Sequence, residues 1–206
     1  MEQKKISKSG LLKINMKKGD CSWTGSDILM QEYHDTEWAV PCYDDKMLFE
    51  YFILETFQAG LSWQTIIHKR EGFKKAFFDF DIKKCAQLSD REIENLCDNE
   101  NIIRHKGKIE SVRNNARVFL EIQKEFDSFS SHLWSFVNNT QENMSLKKED
   151  DARSFSDSSL LLSKDMKKRG FKFVGPTVCY AYMQAVGMVN DHLVTCSQYE
   201  KCLQKI

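Results

Sequence analysis

Proline is scarce, with 2 in 206 residues, and only 9 glycines stand beside it. So few helix breakers leave long helices permitted almost everywhere. Charge of one sign is missing too. Lys+Arg and Asp+Glu both number 30, which excludes a uniformly basic partner-binding protein of the histone kind. Apolar runs are short, Leu160-Leu161-Leu162 being typical, so no segment is expected to span a bilayer. The first residues lack the apolar core of a secretion signal, and the 7 cysteines show no dense framework spacing. They are therefore expected as reduced thiols or metal ligands in a cytoplasmic protein. A hydrophobic fraction of 41% excludes disorder of the whole chain.

What charge there is sits unevenly. Residues 1–19 hold six lysines and one glutamate, a net +5, which leaves −5 for residues 20–206. This reads as a flexible basic extension, 1–19, followed by a single domain, 20–206.

Helical periodicity begins at Asp44. Leu48, Tyr51, Phe52, Glu55 and Ala59 fall on one stripe, and Gly60 is a plausible stop. A second apolar segment runs from Trp63 to His68. Ser89 and Glu92 predict a capping box, with Leu88 and Ile93 as a staple across it. Ile109, Val112, Ala116, Phe119 and Leu120 form another stripe, and Leu133 to Val137 ends at Asn138-Asn139. Residues 138–158 are polar and read as a loop inside the domain. Helical signals resume at Leu160, and Gly175-Pro176 reads as an N-cap and N1 pair before Val178 to Val186. No period-2 strand of convincing length appears, so the fold class is all-α.

Four sets of residues carry candidate chemistry. Cys21 and His34 near one end, with His192 and Cys196 near the other, can supply two thiols and two imidazoles, a closed tetrahedral shell; on a helix, His192 and Cys196 would share a face. Incidental placement, with Cys196 a small buried hydrophobe, is the competing reading. Glu55 is a carboxylate on an apolar stripe, where burial costs several kcal/mol unless partners compensate. It is either a pocket group or a boundary residue reaching solvent. Trp23, Tyr33, Trp38 and Trp63 offer flat faces suited to stacking on a nucleobase or attracting a cationic ring, or they are core. Lys164, Lys167, Lys168, Arg169 and Lys172 precede the Val174-Gly175-Pro176 turn, a geometry that can grip phosphate. Arg104, His105, Lys106 and Lys108 form a second basic cluster. Both clusters equally suit a solvated face.

These sets occur together within longer strings. They are Glu32-Tyr-His-Asp-Thr-Glu-Trp38, Glu55-Thr-Phe-Gln-Ala-Gly-Leu-Ser-Trp63, Ile102-Ile-Arg-His-Lys-Gly-Lys-Ile109, Leu133-Trp-Ser-Phe-Val-Asn138, Lys168-Arg-Gly-Phe-Lys-Phe-Val-Gly175 and Val189-Asn-Asp-His-Leu193. In these strings, across roughly residues 20–200, the chain resembles the DNA-3-methyladenine glycosylase I family of bacterial alkylation-repair enzymes. The resemblance implies an all-α helix-hairpin-helix glycosylase fold. It implies one structural zinc on Cys21, His34, His192 and Cys196, tying the N- and C-terminal segments together. It makes Glu55 the pocket carboxylate, Tyr33, Trp38, Trp63 and Trp23 the aromatic walls, Gly60 and Leu61 part of the loop that enters DNA, and Val174 and Gly175 part of the phosphate-gripping turn.

The implied activity is extrusion of 3-methyladenine from alkylated double-stranded DNA and hydrolysis of its N-glycosidic bond. An abasic site is left, 3-methyladenine is the product, and no lyase step follows. A monomer with no membrane association is expected. Ala39 stands where many members have Gly, Met30 where some carry another aromatic, and Cys202 is an extra thiol near the proposed metal. Two other readings remain: a zinc-stabilised DNA-binding module without catalysis, and a zinc hydrolase with an open metal position.

Overall fold

The computed structural model describes residues 21–203, so the 1–19 extension lies outside the described residues. Among them the chain forms nine α-helices and two strands of two residues each. The all-α expectation holds. Among the described residues no helix is long and apolar enough to cross a membrane.

Local chemistry places the helices. Asp27 accepts from the Met30 amide and opens α1 (Ile28–Thr36), a helix the sequence pattern did not announce. Asp44 and Ser62 cap α2 (Asp45–Gln58) and α3 (Trp63–Ala76) in the same way. A short α4 (Ile82–Ala86) leads to α5 (Asp90–Cys97), where Ser89 and Glu92 make the expected capping box. His105 accepts from the Lys108 amide to open α6 (Lys106–Phe126), the longest helix. α7 (Phe129–Ser135) is followed by Asn138 and Asn139, both with positive φ, which end the helical run as expected. α8 (Asp157–Arg169) starts three residues before Leu160, at a Ser156–Ser159 box, and ends on Gly170 at φ 95°. α9 (Pro176–Ala185) opens on Gly175 with Pro176 in its first turn.

The centre is α2. Ten consecutive residues, Leu48 to Phe57, are buried, because α3, α6, α7 and α9 pack around it. Phe49 meets Phe119 of α6, Phe52 meets Tyr182 of α9, and Phe57 meets Phe73 of α3, each edge-to-face at 4.7–5.5 Å between ring centres. α6 lies along α4, α5 and α7, and α8 packs on α9. The 138–158 segment, read from the sequence as a loop, carries a short strand, a 3-10 turn and the first residues of α8, and it is tied down. β1 (Glu142–Asn143) pairs in parallel with β2 (Val189–Asn190), Glu142 opposite Val189, and Leu146 bridges Leu193. Glu149 then accepts from the backbone N–H and the hydroxyl of Ser22. Thus the first described residues, the internal loop and the C-terminal segment converge.

His192 and Cys196 do not share a helix face. They flank a turn after β2, closed by the Cys196 amide donating to Leu193 O. Two backbone positions hold this region. Ala39 sits at φ 64° with no exposure, which is why a glycine suits that place. Gly187, between α9 and β2, has φ +73°, and a Cβ there would lie 2.3 Å from the backbone of Val40. Gly187→Ala is expected to lower stability by at least ~2 kcal/mol, from backbone strain plus collision, measured as the urea midpoint. An unchanged midpoint would show that the 187 segment moves freely away from Val40.

Candidate functional site

One cavity of about 360 Å³ opens among α1, α2, α3, α9 and the 146–152 loop. Its lining includes Trp23, Tyr33, Trp38, Glu55 and Trp63. The structure thus gathers the carboxylate and all four aromatics predicted from the sequence. Tyr33 is buried on α1 and lies 5.1 Å from Trp63, centre to centre, across from α3. Trp38 follows α1 and meets Trp23 edge-on at 5.0 Å. Trp23, in a single turn of 3-10 helix over Ser22–Thr24, is the most exposed of the four at 37%.

Glu55 sits three residues before the end of α2 and is 4% exposed. Its Oε2 has no hydrogen-bond partner. Burial alone pushes its carboxyl up to about 8. Burial, followed by closeness to Glu55, holds the Tyr33 phenol well above its usual range, so it is a neutral donor. The Trp63 indole N–H is also buried without a partner. A carboxylate acceptor and an indole donor, both unused and framed by flat rings, form the polar edge of an apolar slot.

Sequence reasoning missed other lining residues. Leu146, Glu149 and Ala152 come from the polar loop, whose role depends on the short β1–β2 pairing. Asp191 lies in the last matched string but received no role. Its Oδ2 accepts from Tyr180 Oη at 2.9 Å and Gln184 Nε2 at 2.6 Å, while Oδ1 has no partner.

Cys21, His34, His192 and Cys196 converge behind the Trp38 wall. All are buried, and their donor atoms lie within 4.8 Å of one another. Cys196 Sγ is 3.5 Å from His34 Nε2 and 3.5 Å from His192 Nδ1; Cys21 Sγ is 3.7 Å from His192 Nδ1. Bond lengths for a tetrahedral ion with sulfur and nitrogen ligands give a sulfur–nitrogen edge of about 3.6 Å. The outward nitrogens are also placed. His34 Nδ1 meets Asp35 Oδ1 at 2.7 Å, and His192 Nε2 meets Trp38 O at 3.3 Å. The Gln198 amide donates to Cys196 Sγ at 3.4 Å. The four residues can hold a metal ion. Cys202 packs against the same imidazole, 3.5 Å from His192 Nε2.

The loop and turn candidates are separate from the cavity floor. Gly60, at φ +83°, and Leu61, 41% exposed, form the turn between α2 and α3. Val174 is buried, and Gly175 opens α9 with no capping side chain. The basic clusters split up. Arg169 is paired with Asp165 and Glu125. Lys108, one of the second basic cluster, is 5% exposed and points inward onto the carbonyls of Phe57 and Ala59.

An all-helical domain with a flat-walled slot ending on an unpaired buried carboxylate is built to take a planar ring with a polar edge. Residues 23–199 match the model of the methyladenine glycosylase family, and the chain belongs to that family. It is 44% identical over 179 residues to the DNA-3-methyladenine glycosylase 1 of Escherichia coli (strain K12), covering 87% of this chain and 96% of that protein. It is 42% identical to the DNA-3-methyladenine glycosylase of Haemophilus influenzae, over 85% of this chain and 95% of the other. A solved 3-methyladenine DNA glycosylase I from Staphylococcus aureus superposes with a TM-score of 0.85 at 37% identity, covering 87% of this chain and 95% of that one.

The buried carboxyl has a pH signature. Unfolded, Glu55 ionises near 4.5; folded, it keeps its proton to about 8. Its contribution to stability is therefore fully retained below the lower value and lost as pH rises from 4.5 to 8. Glu55→Gln should be close to wild type in stability at pH 5 and increasingly more stable toward pH 8, by on the order of a few kcal/mol, read from melting curves across that range. A melting difference that is flat with pH would place Glu55 in contact with water.

Proposed function

We propose that this chain extrudes 3-methyladenine from alkylated duplex DNA and hydrolyses its N-glycosidic bond, leaving an abasic site. The observation that carries the reading is Glu55, a buried carboxylate without a partner at the polar end of an aromatic slot. N3-methylation makes adenine cationic and weakens its bond to the sugar, so the leaving group needs little protonation. Aromatic faces favour a cationic ring over a neutral one by roughly 0.5–2 kcal/mol per good face. Glu55 accepts hydrogen bonds from the base edge, and its negative charge becomes favourable only when the cation arrives. Neutral adenine gains neither term. Tyr33, Trp38, Trp63 and Trp23 serve as the walls.

Leu61 and Gly60 enter the helix where the base leaves, since a positive-φ glycine lets the turn project a leucine side chain. Gly175 at the start of α9, within an α8–turn–α9 unit read as the helix-hairpin-helix element, receives a backbone phosphate. The reaction proposed is hydrolysis alone, without a lyase step. Residues 20–206 act as one glycosylase domain, and the protein is a cytoplasmic monomer.

The metal is zinc, held by Cys21, His34, His192 and Cys196. Two thiolates and two imidazoles suit it, and four protein donors leave it no place for water, so its role is structural. Cys196→Ser should lower zinc content and melting temperature together. Removal of zinc that abolished excision while leaving the fold intact would overturn the structural role.

The direct test incubates the protein with methylated duplex DNA and separates the released bases by chromatography. Release of 3-methyladenine, slowed ~10²-fold or more in Glu55→Gln, is the expected result, the scale on which one preorganised polar group acts. DNA binding with no base released by wild type would instead support a binding module without catalysis.

A further inference from the structure

The mechanism above makes no use of a buried lysine. Lys108, in the first turn of α6, is 5% exposed. Its ammonium donates to Phe57 O at 2.9 Å and to Ala59 O at 2.6 Å. Those carbonyls belong to the last turn of α2 and the residue after it, where helical partners run out. The Leu61 amide donates to the intervening Gln58 O, so all three terminal carbonyls are held. A cation at a helix C-terminus is favourable in itself. Burial pushes the Lys108 ammonium below its ordinary value, yet the group is kept inside by these two bonds.

Seven residues along the same helix stands Asn115, with no exposure. It accepts from the Lys172 amide at 2.8 Å and donates to Lys172 O at 3.2 Å, engaging both backbone groups of that residue. Neighbouring Asn114 donates to Gly170 O at 2.9 Å. Seven residues are two turns, so Lys108 and Asn115 lie on nearly one face, about 10.5 Å apart along the axis. At the near end, Phe173 of the same turn lies over the Lys108 ammonium, 6.0 Å from ring centre, and edge-on to His105 at 6.2 Å.

We infer that α6 is a strut that sets the spacing between the two DNA-contacting segments, the 59–61 loop and the 170–175 turn, with Lys108 and Asn115 as positioning residues. This rests on the reading of those segments under the proposed function. The two segments come from opposite halves of the chain, and α6 carries polar side chains bonded to the backbone of both. The stage served is displacement of a paired base: the loop must fill the gap at a fixed distance from the gripped phosphate. Glu55 and the aromatic walls lie outside these bonds. A lesion that is already unpaired therefore depends less on the strut.

The experiment compares single-turnover excision by wild type, Lys108→Met and Asn115→Asp on two substrates. One carries 3-methyladenine in a fully paired duplex, the other carries it unpaired opposite an abasic analogue. Affinity for free 3-methyladenine is measured alongside. Lys108→Met keeps the unbranched side chain to within one atom of its length and removes the donors. Excision from paired DNA should fall about 10- to 100-fold, the scale of a small misplacement, while the unpaired substrate and free-base affinity stay within about three-fold, because unstacking has already been done. Asn115→Asp, which loses the donated bond to Lys172 O, should show the same preference for the unpaired lesion. It also serves if Lys108→Met does not fold. Equal losses on both substrates in a folded variant, or no loss on either, would overturn the strut. If wild type released base from neither substrate, the proposed function would fail instead, a distinguishable result.

Discussion

Water cannot reach the Glu55 carboxyl well, and no side chain of the protein pairs with its inner oxygen. An ionised carboxylate in such a place costs several kcal/mol, so the free protein keeps it protonated up to about pH 8. The surrounding packing has to maintain that unfavourable burial. α2 does so by being enclosed on every side, with Leu48 to Phe57 all buried and aromatic contacts to three neighbouring helices. A helix fixed in this way cannot rotate Glu55 out to solvent. Beyond Glu55, the Lys108 ammonium holds the carbonyls of Phe57 and Ala59, where the exposed 60–61 turn begins. The same two turns of α2 therefore hold the pocket carboxyl and launch the exposed 60–61 turn.

The walls of the slot depend on chain ends that meet only in three dimensions. Cys21 lines the cavity and belongs to the thiol–imidazole set; His34 follows Tyr33; Trp38 supplies a wall with its ring and a hydrogen-bond acceptor for His192 with its carbonyl. Anything bound by the four donors therefore acts on the pocket through adjacent residues. Leu193 on one side and Glu149 on the other extend the same joint to the internal loop. A metal here closes a loop of most of the chain, which limits how far the N-terminal aromatics can drift from α2.

Much of this was legible in the sequence, for definite physical reasons. Glu55 stood out because one carboxylate interrupts an apolar stripe, and burial of that stripe is what the structure shows. The ends of α5, α7 and α9 were readable from Ser89-Glu92, Asn138-Asn139 and Gly175-Pro176, since capping is a local matter. α1 escaped notice because its N-cap Asp27 introduces a helix with little amphipathic contrast. The pocket side of 138–158 was hidden because two-residue strands have no period. Lys108 was read only as one of a basic cluster suited to phosphate or to solvent, and Asn115 carried no reading. Their spacing held the signal: 108, 112, 115 and 119 fall on the apolar face of α6 with Val112 and Phe119. His192 and Cys196 were four apart for a different reason than helical geometry, since a turn brings them together.

The burial of Glu55 and its lack of a partner predict an uncharged carboxyl in the free protein near neutral pH and a carboxylate once a cationic base enters. Carbon-13 NMR of the Glu55 side-chain carboxyl, assigned by comparison with Glu55→Gln, measures this directly. The expected titration midpoint in the free protein is about 8. The ionised signal is expected at pH 7 once the pocket is filled by a permanently cationic methylated adenine. A midpoint near 4.5 in the free protein, or a signal that stays protonated when the cation binds, would contradict it.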